Sequence, residues 1–277
     1  MQLKSLSMTF WMLPQPLLER KALPVLRLLT RVFDLTLTEV DQIYSIADQV
    51  LVAISFTRLS KTCVNEMITF LHNTLVGRYN IGQSRRARVA LTKSLRLIIF
   101  SNLHRIGKYA VMTDVAEAAL SSMAHGDGEL RVEGRLLFSV LMKVASEVQI
   151  RSLLHTLEKE LRGMTLPEST PDRTPSLSYL RSEAVQTRRR RDAIVLAFCS
   201  TVGADPARMP SYVPHLLEKL AHFIIDGTGD IKSAVKKTFE EWWRAHRDGW
   251  DTVYKKEFTP QQIDTVMDLL KSPYYYA

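Results

Sequence analysis

The sequence predicts an all-α protein built from antiparallel helix pairs, and three observations carry that reading. Apolar residues recur at spacings of three and four almost throughout, the signature of amphipathic helices. No alternating Val/Ile/Thr run bounded by Asn-Gly or Asp-Gly turns occurs, so a sheet is not expected. The helices also repeat. With first helices of pairs placed at Thr38, Ser84, Glu129, Glu183 and Asp230, the intervals are about 46, 45, 54 and 47 residues, the period of a HEAT/armadillo-like α-solenoid. Residues 1–277 are therefore expected to form a single α-solenoid.

The elements follow in order. Val40, Ile43, Tyr44, Ile46, Ala47, Val50, Leu51 and Ile54 form one apolar face, and Thr38 with Asp41 three residues on resembles a capping box. Val64, Met67, Ile68, Leu71 and Leu75 form a second, ending near Gly77. Ala87, Ala90, Leu91, Leu95, Ile98, Ile99 and Leu103 form a third, closed by Gly107. Further helices are expected at about 111–124, 129–145, 147–162, 183–202, 209–225, 230–247 and 260–270. Asp127, Leu130, Arg131 and Gly134 fit the HEAT pattern of a capping acid, a branched apolar residue, a basic residue and a small one; Asp226, Ile231, Lys232 and Val235 fit it more loosely. Asp205-Pro206 and Met209-Pro210 punctuate the chain. Thr259-Pro260-Gln261-Gln262 supplies an N-cap hydroxyl, a proline at the first helical position and an amide at the third. The one long interval contains Gly163–Leu180, where Pro167, Pro171 and Pro175 lie among Ser and Thr; 163–180 reads as a loop insertion rather than a domain boundary.

Composition excludes several classes. With 46% hydrophobic and 24% charged residues, 11 Gly and 11 Pro, the chain is neither disordered nor collagen-like. A formal net charge of +8 permits an acidic partner without demanding one. Two cysteines, Cys63 and Cys199, cannot make a disulfide framework, which points to a reducing compartment. The apolar stretch Met8–Leu13 is too short for a signal peptide, and no apolar run approaches the ~20 residues of a membrane span, so no membrane partner is expected.

Motifs for catalysis are missing: there is no P-loop, no dinucleotide-binding glycine motif and no nucleophile elbow. His215, Glu218 and His222 share a helix face, but their spacing is not that of a zinc protease, and no metal site is expected. The reading is therefore of a non-enzyme. Two basic clusters stand out: Arg85, Arg86 and Arg88, and the run Arg188, Arg189, Arg190 and Arg191. Each is read as a solvated helix face, or as an anion or nuclear-localisation cluster. Trp242, Trp243 and Trp250 interleave with Lys236, Lys237, Arg244 and Arg247; core packing is favoured over base stacking, and no specific nucleic acid is expected.

The last residues differ in kind. Lys271-Ser272-Pro273 stops a helix, because proline lacks a donor and restricts its predecessor. Tyr274, Tyr275, Tyr276 and Ala277 follow. Three tyrosines there either fold back on the last repeat or enter a partner, whose pocket would supply a cation and backbone donors for the carboxylate.

The segments Val235-Lys236-Lys237-Thr238-Phe239, Arg244-Ala245-His246-Arg247-Asp248-Gly249-Trp250, Phe258-Thr259 with Gln262, and Asp268-Leu269-Leu270 with Ser272-Pro273 and Tyr275-Tyr276-Ala277 resemble the C-terminal end of the large single-chain HEAT-repeat proteasome activators, the animal activator and its yeast counterpart. Arg88-Val89-Ala90-Leu91 with Phe100, Asn102 and Leu103 is similar too, as are the 129–145 helix and Met209-Pro210 to Leu220. The likeness is fullest over 205–277, thinner over 84–204, and no more than compatible over 1–83.

That resemblance implies an ATP-independent activator on the α subunits of the proteasome core particle, opening its gate, in nucleus and cytoplasm. It assigns 271–277 as the docking tail: Ala277 supplies the carboxylate, Tyr276 the key ring and hydroxyl, Tyr275 an apolar contact, and Ser272 and Pro273 aim the tail. It also implies inositol phosphate at basic openings, for which the arginine clusters qualify, and no other cofactor. Histones or acetylated substrates would be read by a bromodomain-like element, but Ala145 and Ser146 occupy the place of its Asn-Phe pair, leaving no amide for an acetyl group. Family members run to several times this length, which implies a fragment or a reduced relative with a cut solenoid face at its amino end. The competing reading is a HEAT scaffold or transport adaptor that binds a partner peptide on its concave face.

Overall fold

The structure, a computed structural model, describes residues 13–35, 41–57, 59–102, 109–164 and 183–271. Among these there are eleven α-helices and no strand. They are α1 (Gln15–Asp34), α2 (Asp41–Phe56), α3 (Lys61–Leu75), α4 (Arg85–Ser101), α5 (Tyr109–Met123), α6 (Gly128–Val144), α7 (Glu147–Gly163), α8 (Glu183–Val202), α9 (Val213–Asp226), α10 (Gly229–His246) and α11 (Pro260–Lys271). Thr38, Gly107 and residues 165–180 of the expected insertion lie outside the described residues. Gly163 closes α7, and Met164 leaves it in an extended conformation.

The chain divides into two compact units, residues 1–144 and 145–277. In the first, α2, α4 and α6 lie side by side as one layer, with α3 and α5 as the other. Helices of one layer begin at 41, 85 and 128, so successive pairs are 44 and 43 residues apart. Each of α1, α2, α3 and α4 touches the next helix but one, and most touch a sequence neighbour as well, the contact pattern of an α-solenoid. The second unit repeats the scheme: α8 packs on α10, and α9 packs on α11.

Local chemistry explains most helix ends. Ser84 caps α4, its hydroxyl accepting the Ala87 amide at 3.1 Å. Asp127 accepts the Leu130 amide at 3.0 Å, as the capping pattern predicted. Asp226 is the last residue of α9, and α10 begins after Thr228. Gly77 follows α3 at φ +81°, a left-handed conformation that glycine adopts without strain, and its amide reaches Thr74 O at 3.1 Å. The small residue of the HEAT pattern, Gly134, is where α6 approaches α5: a Cβ there would stand 2.9 Å from Ala119 O and 3.0 Å from the Met123 amide.

One helix was not foreseen. Pro14, Pro16 and Pro24 argue against α1, yet it runs unbroken for 20 residues. Pro16 lies in the first turn, where a missing amide costs little. Pro24 does cost a hydrogen bond, but α1 buries Leu18, Ala22, Leu26, Leu29 and Phe33. At about 1.5–3 kcal/mol for each large side chain, tertiary burial overrides the local penalty. α1 also ties down the α3–α4 turn: Asp34 accepts the amides of Gly82 and Ser84, and Ser84 donates its hydroxyl to Phe33 O at 2.9 Å.

Candidate functional site

The last helix begins in a small hydrogen-bonded box. The Thr259 hydroxyl accepts the Gln262 amide at 3.3 Å, and Gln262 Oε1 accepts the Thr259 amide at 3.1 Å, satisfying two orphan donors. Before it, the chain does not simply loop. Residues Arg247–Gly249 form a 3-10 turn, Trp250–Tyr254 a π turn and Lys255–Glu257 another 3-10 turn. This tightly wound strap brings Trp250 and Phe258 back against the end of α10. Trp242 meets Trp250 edge-on at 6.0 Å and Phe258 at 5.8 Å, while Trp250 and Phe258 meet at 5.1 Å. All three are buried, so Trp242 and Trp250 are core, as expected, while Trp243 is half-buried. With Trp243, His246 and Tyr254 they make an aromatic brace at the root of α11.

α11 is then fastened to its neighbour. Val266 is fully buried, and Gln262 Nε2 donates to Glu218 of α9 at 3.1 Å. α9 is tied in turn to α7, where Glu158 lies 3.2 Å from His215 Nε2 and pairs with Lys219 at 3.4 Å. Sequence spacing had singled out His215 and Glu218 only as members of a possible metal set; their partners, Glu158 and Gln262, come from other helices and leave no periodic trace. Among the described residues no group of three metal-ligating side chains comes together.

The proposed docking residues Ser272, Pro273, Tyr275, Tyr276 and Ala277 lie outside the described residues, just beyond the end of α11 at Lys271. The arginine run is split by its own helix. Arg190 makes a two-pronged ion pair with Glu160, at 2.6 and 3.0 Å, and Arg191 lies 5.0 Å over the Phe223 ring. Arg188 and Arg189 are exposed. The C-terminal half of α8, Ala193–Val202, is buried on every face.

In the first unit, Arg85, Arg86 and Arg88 are engaged by the fold. Arg85 pairs with Asp127 at 2.5 Å and Glu129 at 2.7 Å, and Arg86 sits 3.9 Å over Tyr44. Arg88 donates to Leu75 O at 3.1 Å, and burial pulls its guanidinium below the usual range. Arg85 and Arg86, with Lys93, line a cavity of about 540 Å³ in which Asp48, Glu129 and Glu133 oppose these three cations. Ser146 caps α7 in a reciprocal box with Gln149. No helix among the described residues is long and apolar enough to cross a membrane.

Stacked helix pairs ending in a braced and clamped last helix define a helical-repeat protein. Comparison with known sequences finds relatives of its C-terminal part. A sequence profile described as "Proteasome activator complex subunit 4-like, C-terminal" matches residues 188–277. Proteasome activator complex subunit 4 of Homo sapiens is 34% identical over 111 residues, covering 40% of this chain and 5% of that protein. Proteasome activator complex subunit 4B of Danio rerio is 39% identical over 88 residues, 32% of this chain and 5% of that protein. Proteasome activator subunit 4 of Arabidopsis thaliana is 32% identical over 112 residues, 36% of this chain and 6% of that protein. The C-terminal part of the chain is therefore similar to the C-terminal part of the proteasome activator subunit 4 proteins, and the matched region spans about a twentieth of those relatives' length.

Proposed function

We propose that the chain acts as a proteasome activator, or as part of one, which binds the α ring of the core particle without ATP and promotes gate opening through its C-terminal tail. The observation that carries this reading is that the family match runs through residue 277 and so includes Tyr275, Tyr276 and Ala277. In this reading the Ala277 carboxylate pairs with a cation in a pocket between two α subunits. Tyr276 contributes its ring and hydroxyl, Tyr275 an apolar contact, and Ser272 and Pro273 turn the chain away from α11. A desolvated aromatic anchor of this kind contributes about 2–4 kcal/mol. The brace and clamp at α11 support the reading, because a tail binds better when its point of departure is held and less freedom is lost on docking. Arg188 and Arg189 are the members of the arginine run open to polyanions such as inositol phosphates or to a nuclear import receptor, which fits residence in nucleus and cytoplasm.

Hydrolysis of a short fluorogenic peptide by purified core particle tests this. The chain should stimulate it, whereas deletion of Ala277 or Tyr276→Ala should abolish most of the stimulation. Equal stimulation by all three forms would overturn the proposal.

A further inference from the structure

We infer that Gln262 is a positioning residue, and that its hydrogen bond to Glu218 sets the direction in which α11 delivers the residues beyond Lys271; this rests on the tail-docking reading above. The Gln262 side chain is used at both ends. Its carbonyl oxygen closes the capping box with Thr259, and its amide nitrogen reaches across to α9. One side chain therefore couples the start of α11 to a neighbouring helix 44 residues away in sequence. α11 otherwise packs on α9, with Val266 fully buried. Apolar burial is non-directional, whereas a hydrogen bond fixes an angle. A 12-residue helix is about 18 Å long, so a tilt of roughly 10° at its start moves its far end by about 3 Å. Glu218 is itself placed by its surroundings. It stands 4.0 Å from His215 Nδ1, and the other nitrogen of that ring meets Glu158 of α7 at 3.2 Å.

The chemistry of Gln262 allows its two jobs to be separated. Q262E keeps the acceptor for the Thr259 amide, since Glu is a favoured third residue of a capping box, and adds a negative charge at a helix N-terminus, where it is stabilising. It removes the donor to Glu218 and sets two carboxylates against each other. E218Q retains an acceptor for the Gln262 amide. The double variant E218Q/Q262E restores a donor–acceptor pair with its direction reversed.

The experiment measures core-particle stimulation against concentration for the 277-residue chain, Q262E, E218Q, the double variant and a form lacking the last three residues. Thermal unfolding followed by far-UV circular dichroism is run on each. Q262E should raise the half-stimulating concentration roughly tenfold with little change in melting temperature, E218Q should stay near wild type, and the double variant should recover to within about twofold. If the truncated form loses stimulation while Q262E matches wild type, the positioning role is refuted and tail docking stands. A Q262E defect that E218Q fails to rescue also refutes it. Undiminished stimulation by the truncated form would overturn tail docking and the positioning role together.

Discussion

The imidazole of His246 lies stacked on the indole of Trp242 one turn earlier in α10, with ring centroids 5.2 Å apart and planes 23° from parallel. Its Nδ1–H is donated to the Trp242 carbonyl at 2.8 Å, and its Nε2 is buried without a hydrogen-bond partner. Tyr254 closes the other side, edge-on at 4.5 Å. A helix end that would otherwise fray is thus turned into a wall on which the strap 247–258 folds.

Removing the centre of that wall should be costly. Trp242 is 2% exposed and touches four other aromatic rings. W242A is expected to destabilise the second unit by about 3–5 kcal/mol, read as a lower urea midpoint by far-UV circular dichroism.

The close approach of α6 to α5 makes Gly134 intolerant of a methyl group. Two of the atoms a Cβ would meet are backbone, Ala119 O and the Met123 amide, and cannot swing aside. G134A should cost about 1–3 kcal/mol despite its better helix propensity, measured as a fall in denaturant midpoint. A neutral or stabilising result would show that the two helices separate easily.

Asp127 should confer pH dependence on the first unit. The Leu130 amide, then the Arg85 side chain, donate to its carboxylate and hold it below the usual carboxylate range. With the folded value below the unfolded one, its contribution is complete above the ordinary carboxylate range and is lost as pH falls through the depressed folded value. Asn is an equally good cap, so D127N removes the charge and keeps the acceptor. Wild type should be the more stable at neutral pH, and the two denaturation midpoints should converge in acid.

Cys63 should be inert in the folded chain. Burial, and next the charges of Glu19 and Glu66, push its thiol up to about 11, and its Sγ faces Glu19 O at 3.6 Å. At pH 8 a thiol-specific chromogenic reagent should modify it only on unfolding, since the thiolate is the nucleophile. Rapid modification of native protein would contradict this.

The arginine run should divide by function. R188Q/R189Q is expected to leave the melting temperature unchanged while weakening any polyanion binding, whereas R190Q should lose about 0.5–1 kcal/mol with its Glu160 pair. Thermal shift with and without a polyphosphate distinguishes the two.

Much of the fold was legible for a plain reason. The caps at Asp127–Leu130 and Thr259–Gln262 span three residues, and the helix faces obey a period of 3.6 that any window of the chain displays. α1 escaped the same reading because its prolines are local signals, while the burial that overrules them is supplied by α2, α3 and α4. The strap 247–258 escaped because its order depends on Trp242 meeting Phe258, sixteen residues on, through turns with no helical periodicity.

From the amino-acid sequence alone came the all-α class, the repeat interval, the capped ends and the likeness of the last residues to a family, since each is set by neighbours within a turn or by order along the chain. The tertiary structure decided which of four consecutive arginines meet Glu160 and Phe223, that Arg85 pairs with Asp127 and Glu129 while Arg86 and Arg88 meet Tyr44 and Leu75, and that Gln262 reaches Glu218. Those outcomes depend on side chains brought together from helices roughly 10 to 50 residues apart, and only the packing of the layers determines which of them meet.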